Sequence, residues 1–74
     1  MSSTDKLTRE KTLGLNIVHQ RKKAGLTQQN IADALDVTIK TVYNYERGKG
    51  LDAMLLHSLA KLFGCNVNDF YLDL

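Results

Sequence analysis

Three polar residues, Lys40, Thr41 and Asn44, fall on one side of a short predicted helix. Val42 and Tyr45, three residues apart, are predicted to anchor that helix and so leave its polar side facing solvent. Lysine suits the major-groove edge of guanine, and asparagine suits that of adenine. Such readout requires a helix that enters the groove with its N-terminal part. The spacing therefore indicates hydrogen bonding to base edges.

The first of two short helices in residues 27–48 begins after Thr27, whose hydroxyl can accept a hydrogen bond from an unpaired amide of the next turn. Ile31, Ala32 and Leu35 form one apolar stripe, and polar residues occupy the other side. This pattern predicts an amphipathic helix that packs one face against a core.

A tight turn at residues 36–37 is predicted to join this helix to a second one. Thr38 repeats the capping chemistry for a helix from Ile39 to about Arg47. Gly48 closes that helix, because glycine adopts a positive φ at little cost. Two amphipathic helices joined by so short a turn predict a unit that presents its second helix to a partner.

Longer apolar patterns flank this unit on both sides. A helix is predicted from around Thr8 or Arg9 to Ala24. Residues 51–63 carry leucines at helical spacing, and Gly64 is placed to end that helix. The chain is therefore expected to be all-α.

A short fifth helix is predicted near the C-terminal end. Asn66, followed three residues later by Asp69, resembles a capping box, and Phe70 behind it is assigned to the core. The tail as a whole is more apolar than a solvated terminus needs to be. It either closes the core or forms a dimer seam, with Phe70, Tyr71, Leu72 and Leu74 as its apolar residues.

Length and composition fit one domain. The 74 residues are too few for two cores, but an apolar content of 43% can supply one. We expect a flexible N-terminal lead-in over residues 1–7 and one helical domain over residues 8–74. No run of about eighteen apolar residues and no signal-like N-terminal pattern is present, which predicts a cytoplasmic protein without a membrane role.

Enzymatic and metal-binding functions are not indicated. His19 and His57 are isolated in the sequence, and there is no glycine-rich phosphate loop. The single cysteine, Cys65, matches no zinc spacing with these histidines and is interpreted as a small core residue. Neither an enzyme activity nor a cofactor is predicted.

The segment TQQNIADALDVTIKTVYNYERG at 27–48 resembles the helix-turn-helix of the Cro/C-repressor family, also called lambda-repressor-like or XRE. Upstream, LGLNIVHQRKKAGLTQ resembles the first helix of that family, and downstream, LLHSLAKLFGCNVNDFY resembles its helices four and five. The upstream residues in family positions are Leu13, Gly14, Ile17, Arg21, Gly25, Leu26, Thr27 and Gln28. The resemblance implies a compact five-helix lambda-repressor-like DNA-binding domain, of the kind found in small phage or prophage regulators.

The resemblance also implies roles for individual residues. It places base readout at Ile39, Lys40, Thr41 and Asn44. Gln28 would grip a phosphate and brace the recognition helix. Ile39 departs from the family, in which a polar residue is common at this position. It either packs against a thymine methyl group or serves an apolar contact unrelated to DNA.

Four residues are candidates for phosphate contacts by their type and position, and such contacts set register without reading sequence. They are Thr38, Tyr43, Arg47 and Lys49. Thr38 is equally explained as a helix cap, and Tyr43 as a half-buried surface aromatic.

The family pairs an arginine of helix one with a glutamate near the end of the recognition helix, and the matching residues here are Arg21 and Glu46. A partly buried pair would lock the two helices together, and losing one partner would cost roughly 3–5 kcal/mol. The alternative is a pair of solvated charges worth under about 1 kcal/mol.

The charge distribution is unusual for a DNA reader. Residues 1–25 carry a net charge of +4, residues 26–50 are neutral and residues 51–74 carry −2. Counterion release normally favours positive charge on the surface that meets phosphate. Lys22 and Lys23 compensate in part, although cations also suit the end of a helix.

Asp36 stands where the family usually has a glycine in the turn, so it must adopt the left-handed region or the turn must differ.

Two functions follow from different classes. The first is a sequence-specific transcriptional regulator that binds double-stranded DNA, as a homodimer on a pseudo-palindromic operator. The second is a modulator, or antirepressor, that uses the same face to bind a partner repressor protein and block its DNA contacts. The neutral motif and Ile39 motivate the second hypothesis.

Overall fold

A computed structural model describes residues 3–72, with side chains from Thr8 onward. Within these residues the chain forms four α-helices and one short 3-10 helix, and it forms no strand there. The elements are α1 (Ser3–Lys23), α2 (Gln28–Leu35), α3 (Ile39–Glu46), α4 (Ala53–Phe63) and the 3-10 helix (Val67–Tyr71). The all-α prediction is confirmed. The predicted short fifth helix is present as a 3-10 helix, a form that is common in helical segments of only a few residues.

The first helix begins earlier than predicted. α1 starts at Ser3, not at Thr8 or Arg9, and ends at Lys23 before the positive φ of Gly25. Residues 3–7 contain no glycine or proline, so their polar composition does not stop the helix from extending. The flexibility predicted for residues 1–7 stays a prediction, and residues 1 and 2 lie outside the described part.

The core draws one large side chain from every element. The largest fully buried side chains are Phe70, Ile17, Ile31, Leu59 and Val42, which come from the 3-10 helix, α1, α2, α4 and α3 respectively. The assignment of Phe70 to the core is confirmed, and its ring meets Phe63 edge to face with centroids 6.0 Å apart. Because each element buries one such anchor, none can leave without opening the core.

Helix boundaries follow the capping signals in the sequence. Thr27 Oγ1 accepts from Asn30 N, and the Asn30 side chain accepts from Thr27 N, which forms a capping box. Asn66 and Asp69 form the predicted second capping box. Gly64 ends α4 with φ 70°. The predicted capping residues therefore fix the helix ends.

Cys65 and Asn16 shape the C-terminal segment. Cys65 packs against the core, which confirms its interpretation as a core residue. Burial raises the pKa of its thiol, and the charge of Asp69 adds to the rise. Asn16 Nδ2 donates to the carbonyls of Phe70 and Leu72, so α1 holds the end of the chain.

The turn between α2 and α3 contains a strained residue. Asp36 lies in the left-handed region with φ 56° and ψ 48°, the only described residue other than glycine with a positive φ. The first of the two alternatives for this turn is therefore correct. A side chain bearing a Cβ is disfavoured there, least so for Asn and Asp.

We expect Asp36→Gly to stabilise the domain by up to about 1 kcal/mol, because relief of the left-handed strain outweighs the added freedom of the unfolded chain. Thermal unfolding followed by circular dichroism measures the change. Ala34→Gly, at an exposed position in the last turn of α2, is the control and should destabilise by up to about 1 kcal/mol. If both glycine variants lost stability equally, Asp36 would not be strained.

Candidate nucleic-acid interface

The inner side of α3 attaches this helix to the rest of the molecule. Val42 is 2% exposed, and Tyr45 is half-buried, as predicted for the two anchors. On the outer side, Lys40 and Arg47 are exposed. The outer side therefore faces solvent at both of its ends.

Two of the predicted base-reading residues are less free than expected. Thr41 and Asn44 are half-buried, not fully exposed. The Thr41 and Thr38 hydroxyls lie 3.0 Å apart, so one donates to the other. The side-chain amide of Asn44 makes no hydrogen bond within the described residues. Lys40 is exposed, as predicted, and the side-chain amide of Asn44 keeps its full hydrogen-bonding capacity. The Thr41 hydroxyl has less capacity left for DNA, because it already bonds to the Thr38 hydroxyl.

Apolar surface is also present on the outer side of α3. Ile39 is 47% exposed at the first position of the helix, and Tyr43 is 51% exposed one turn later. The guanidinium of Arg47 lies over the Tyr43 ring, 5.4 Å from its centroid. This stacking restricts the rotamers of Arg47 without using its N–H donors.

A buried charge network ties α3 to both preceding helices. Arg21 Nε donates to Glu46 Oε2, and Gln28 Nε2 donates to Glu46 Oε1 over 2.7 Å. Arg21 Nη1 also donates to the Leu26 carbonyl over 2.8 Å. The side chains of Arg21 and Glu46 are only 11% and 6% exposed. The geometry is that of a partly buried pair, and it differs from the surface pair weighed as the alternative.

Gln28 holds α3 through this carboxylate. One N–H of its amide is occupied by Glu46, which leaves the second N–H and the amide oxygen for other contacts. The bracing contact is therefore present in the unbound protein. A phosphate contact would have to use the second N–H.

Two glycines set how closely α1 approaches the end of α3, and this contact was not foreseen. A Cβ on Gly14 would lie 2.4 Å from the Glu46 carbonyl oxygen, and a Cβ on Gly48 would come still closer to the Glu10 carbonyl. Gly48 also has φ 84°. The available signal was Gly14 itself, because a glycine inside a helix usually marks a close approach.

The remaining phosphate candidates differ in their surroundings. Thr38 Oγ1 accepts from Thr41 N over 3.2 Å, which makes it the N-cap of α3. Lys49 is exposed beside the end of α3, near Arg47. Thr38 thus has a structural role in addition to any contact with DNA.

Other parts of the described chain carry few features of a site. His19 and His57 are exposed, and no three His, Cys, Asp or Glu side chains within residues 8–72 are grouped so as to hold a metal. No helix in the described range has a stretch long and apolar enough to cross a membrane. Tyr71 and Leu72 are exposed, and Leu74 lies outside the described residues.

Comparison with known proteins identifies a family and a relative. A family model described as helix-turn-helix matches residues 18–70, which includes the whole of α2, α3 and α4. The chain is also 34% identical over 61 residues to a competence pilus inhibition repressor of Acinetobacter baylyi. That alignment covers 81% of this chain and 56% of the relative, so the chain spans little more than half of the relative's length. No solved structure matches.

Proposed function

The chain belongs to the XRE family of helix-turn-helix proteins. From this premise we propose that it is a DNA-binding regulator that reads a specific sequence in the major groove with α3. The observation that carries the proposal is the two-sided construction of α3. Val42 and Glu46 hold the helix on its inner side, while Lys40 extends from the outer side near the N-terminus. This is the end that enters the groove in such domains.

The proposed contacts differ in kind along α3. Lys40 donates to guanine O6 and N7, and Asn44 uses its free amide on adenine N6 and N7. Ile39, exposed at the first position, packs against a thymine methyl group. Thr41 makes a lesser contribution, because its hydroxyl is shared with Thr38.

Contacts to the DNA phosphates are proposed to position α3 in the groove. The second N–H of Gln28, the guanidinium of Arg47, the ammonium of Lys49 and the hydroxyls of Tyr43 and Thr38 are the proposed phosphate donors. We also propose that two copies bind a pseudo-palindromic operator, since one domain of this size makes too few contacts for useful specificity. The relative is named a repressor, and we propose that this chain likewise represses.

The experiment is a selection from random duplexes with purified protein, followed by titration of the selected site with Asn44→Ala. Loss of one bidentate contact costs about 1–3 kcal/mol, so we expect affinity for the selected site to fall roughly 5- to 150-fold. Affinity for random duplex DNA should stay unchanged, and this serves as the internal control. Equal weakening on both duplexes would contradict base reading by Asn44.

A second candidate function is favoured by one observation, the exposure of Ile39 and Tyr43 on a segment whose net charge is zero. On this proposal the outer side of α3 binds a partner repressor protein and prevents its DNA contacts. Fluorescence anisotropy with mixed duplexes at low and high salt separates the two functions. Absence of binding even at low salt would exclude the first function and favour this one.

A further inference from the structure

The packing of α1 against the end of α3 creates a cationic cleft. Gly48 sits against the Glu10 backbone, and this brings Lys11 on α1 next to the chain that leaves α3. The cleft has a volume of about 350 Å³. Its lining residues are Glu10, Lys11, Leu15, Glu46, Arg47 and Lys49.

The charge of this cleft is positive. Lys11, Arg47 and Lys49 supply three cations from two separate parts of the chain. The Glu46 carboxylate is 6% exposed and already accepts from Arg21, so it offsets little of this charge. Glu10 is the one other carboxylate in the lining. An anionic ligand is therefore complementary to the cleft.

The position of the cleft identifies the anion. α3 has eight residues, which at 1.5 Å per residue span about 12 Å, close to the width of the major groove. When the N-terminal end of α3 enters the groove, its C-terminal end lies near one of the bordering phosphate strands. Arg47 and Lys49 directly follow that end.

We propose that this cleft binds the sugar-phosphate backbone of DNA and that Lys11 is a phosphate contact contributed by α1. The inference rests on the proposed function and adds α1 to the elements that meet DNA. Leu15, which is 66% exposed in the same lining, packs against sugar carbons. The cleft also explains how a segment of zero net charge, residues 26–50, could meet DNA. Lys11, from the basic N-terminal third of the sequence, adds positive charge beside it.

Lys11→Gln tests the proposal through the salt dependence of DNA binding. Each phosphate contact contributes about 0.9 to the slope of log affinity against log salt, so the variant should show a slope shallower by about 0.9 per bound copy. The ratio of the DNA affinity of the unaltered chain to that of Lys11→Gln should therefore shrink about threefold between about 50 mM and about 200 mM salt. Lys11→Arg keeps the charge and should keep the slope.

Two further variants complete the design. Lys61→Gln, an exposed lysine on α4 outside the cleft, is the matched control and should leave the slope unchanged. Glu10→Gln removes the repelling carboxylate and should strengthen binding.

If Lys11→Gln bound DNA with the affinity and slope of Lys61→Gln, the inference would be overturned while the proposed function stood. The same result, with weaker binding of an acidic peptide by Lys11→Gln, would assign the cleft to a protein. If the unaltered chain bound no DNA at any salt concentration, the proposed function itself would fail.

Discussion

Gly48→Ala is expected to remove a large share of the domain's stability, although it adds only one methyl group. A left-handed φ costs a residue with a Cβ about 1–2 kcal/mol, and forcing extra volume into a packed site costs about 1–3 kcal/mol. The added Cβ would meet the Glu10 carbonyl carbon at 2.5 Å. Backbone atoms cannot rotate away as a side-chain end can, so α1 and the end of α3 would have to separate.

Gly25→Ala is the matched control for this prediction. Gly25 has φ 75°, close to the 84° of Gly48, but a Cβ there has nothing within 4 Å. It should lose only the roughly 1–2 kcal/mol of backbone strain. Thermal unfolding should place the transition of Gly48→Ala clearly below that of Gly25→Ala, with a shift of about 4–8 °C per kcal/mol for a domain of this size. Coincident transitions would show that the close approach to Glu10 is not energetically important.

Arg21→Ala is expected to destabilise the domain by roughly 3–5 kcal/mol, because it leaves the Glu46 carboxylate buried with only the Gln28 amide as a partner. The Leu26 carbonyl also loses its donor. Chemical denaturation gives the change in the free energy of unfolding. Lys23→Ala, an exposed cation near the same end of α1, is the control and should stay within about 0.5 kcal/mol of the unaltered chain.

A double variant separates the cost of stranding a charge from the value of the pair. Arg21→Met with Glu46→Leu removes both charges and keeps apolar volume at the site. Replacement of both partners is often far less costly than removal of one, so this variant should be more stable than Arg21→Ala. Should Arg21→Ala shift unfolding no more than Lys23→Ala does, the network would have no role in locking α3.

Local signals in the sequence were sufficient to predict most helix boundaries. Thr27, Thr38 and Gly64 act on amides and carbonyls only a few residues away, so their effects can be read without knowing the fold. The start of α1 was missed because the polar N-terminal residues show no apolar periodicity that would indicate a helix. The last element was predicted as a helix, but capping residues alone do not distinguish an α-helix from a 3-10 helix.

The candidate site was predictable in type but not in degree of exposure. Helical spacing placed Lys40 and Asn44 on the side of α3 away from Val42. The half-burial of Asn44, however, depends on the path of the neighbouring parts of the chain, which helical spacing does not reveal. The pairing of Arg21 with Glu46 came from a family resemblance and could not have come from spacing alone. Lys11 was missed altogether, because its proximity to Arg47 depends on a backbone contact across more than thirty residues of sequence.

The backbone contact between Gly48 and Glu10 has a consequence for how the binding specificity of such a protein can evolve. Because main-chain atoms and an interior carboxylate fix the angle of α3, the outward residues Ile39, Lys40 and Asn44 take no part in setting it. On the proposed function, exchanging those three side chains should direct the domain to a different DNA sequence while the angle of α3 stays the same. Divergence of binding preference within a lineage can therefore proceed by single substitutions, with no intermediate that must first rebuild the scaffold.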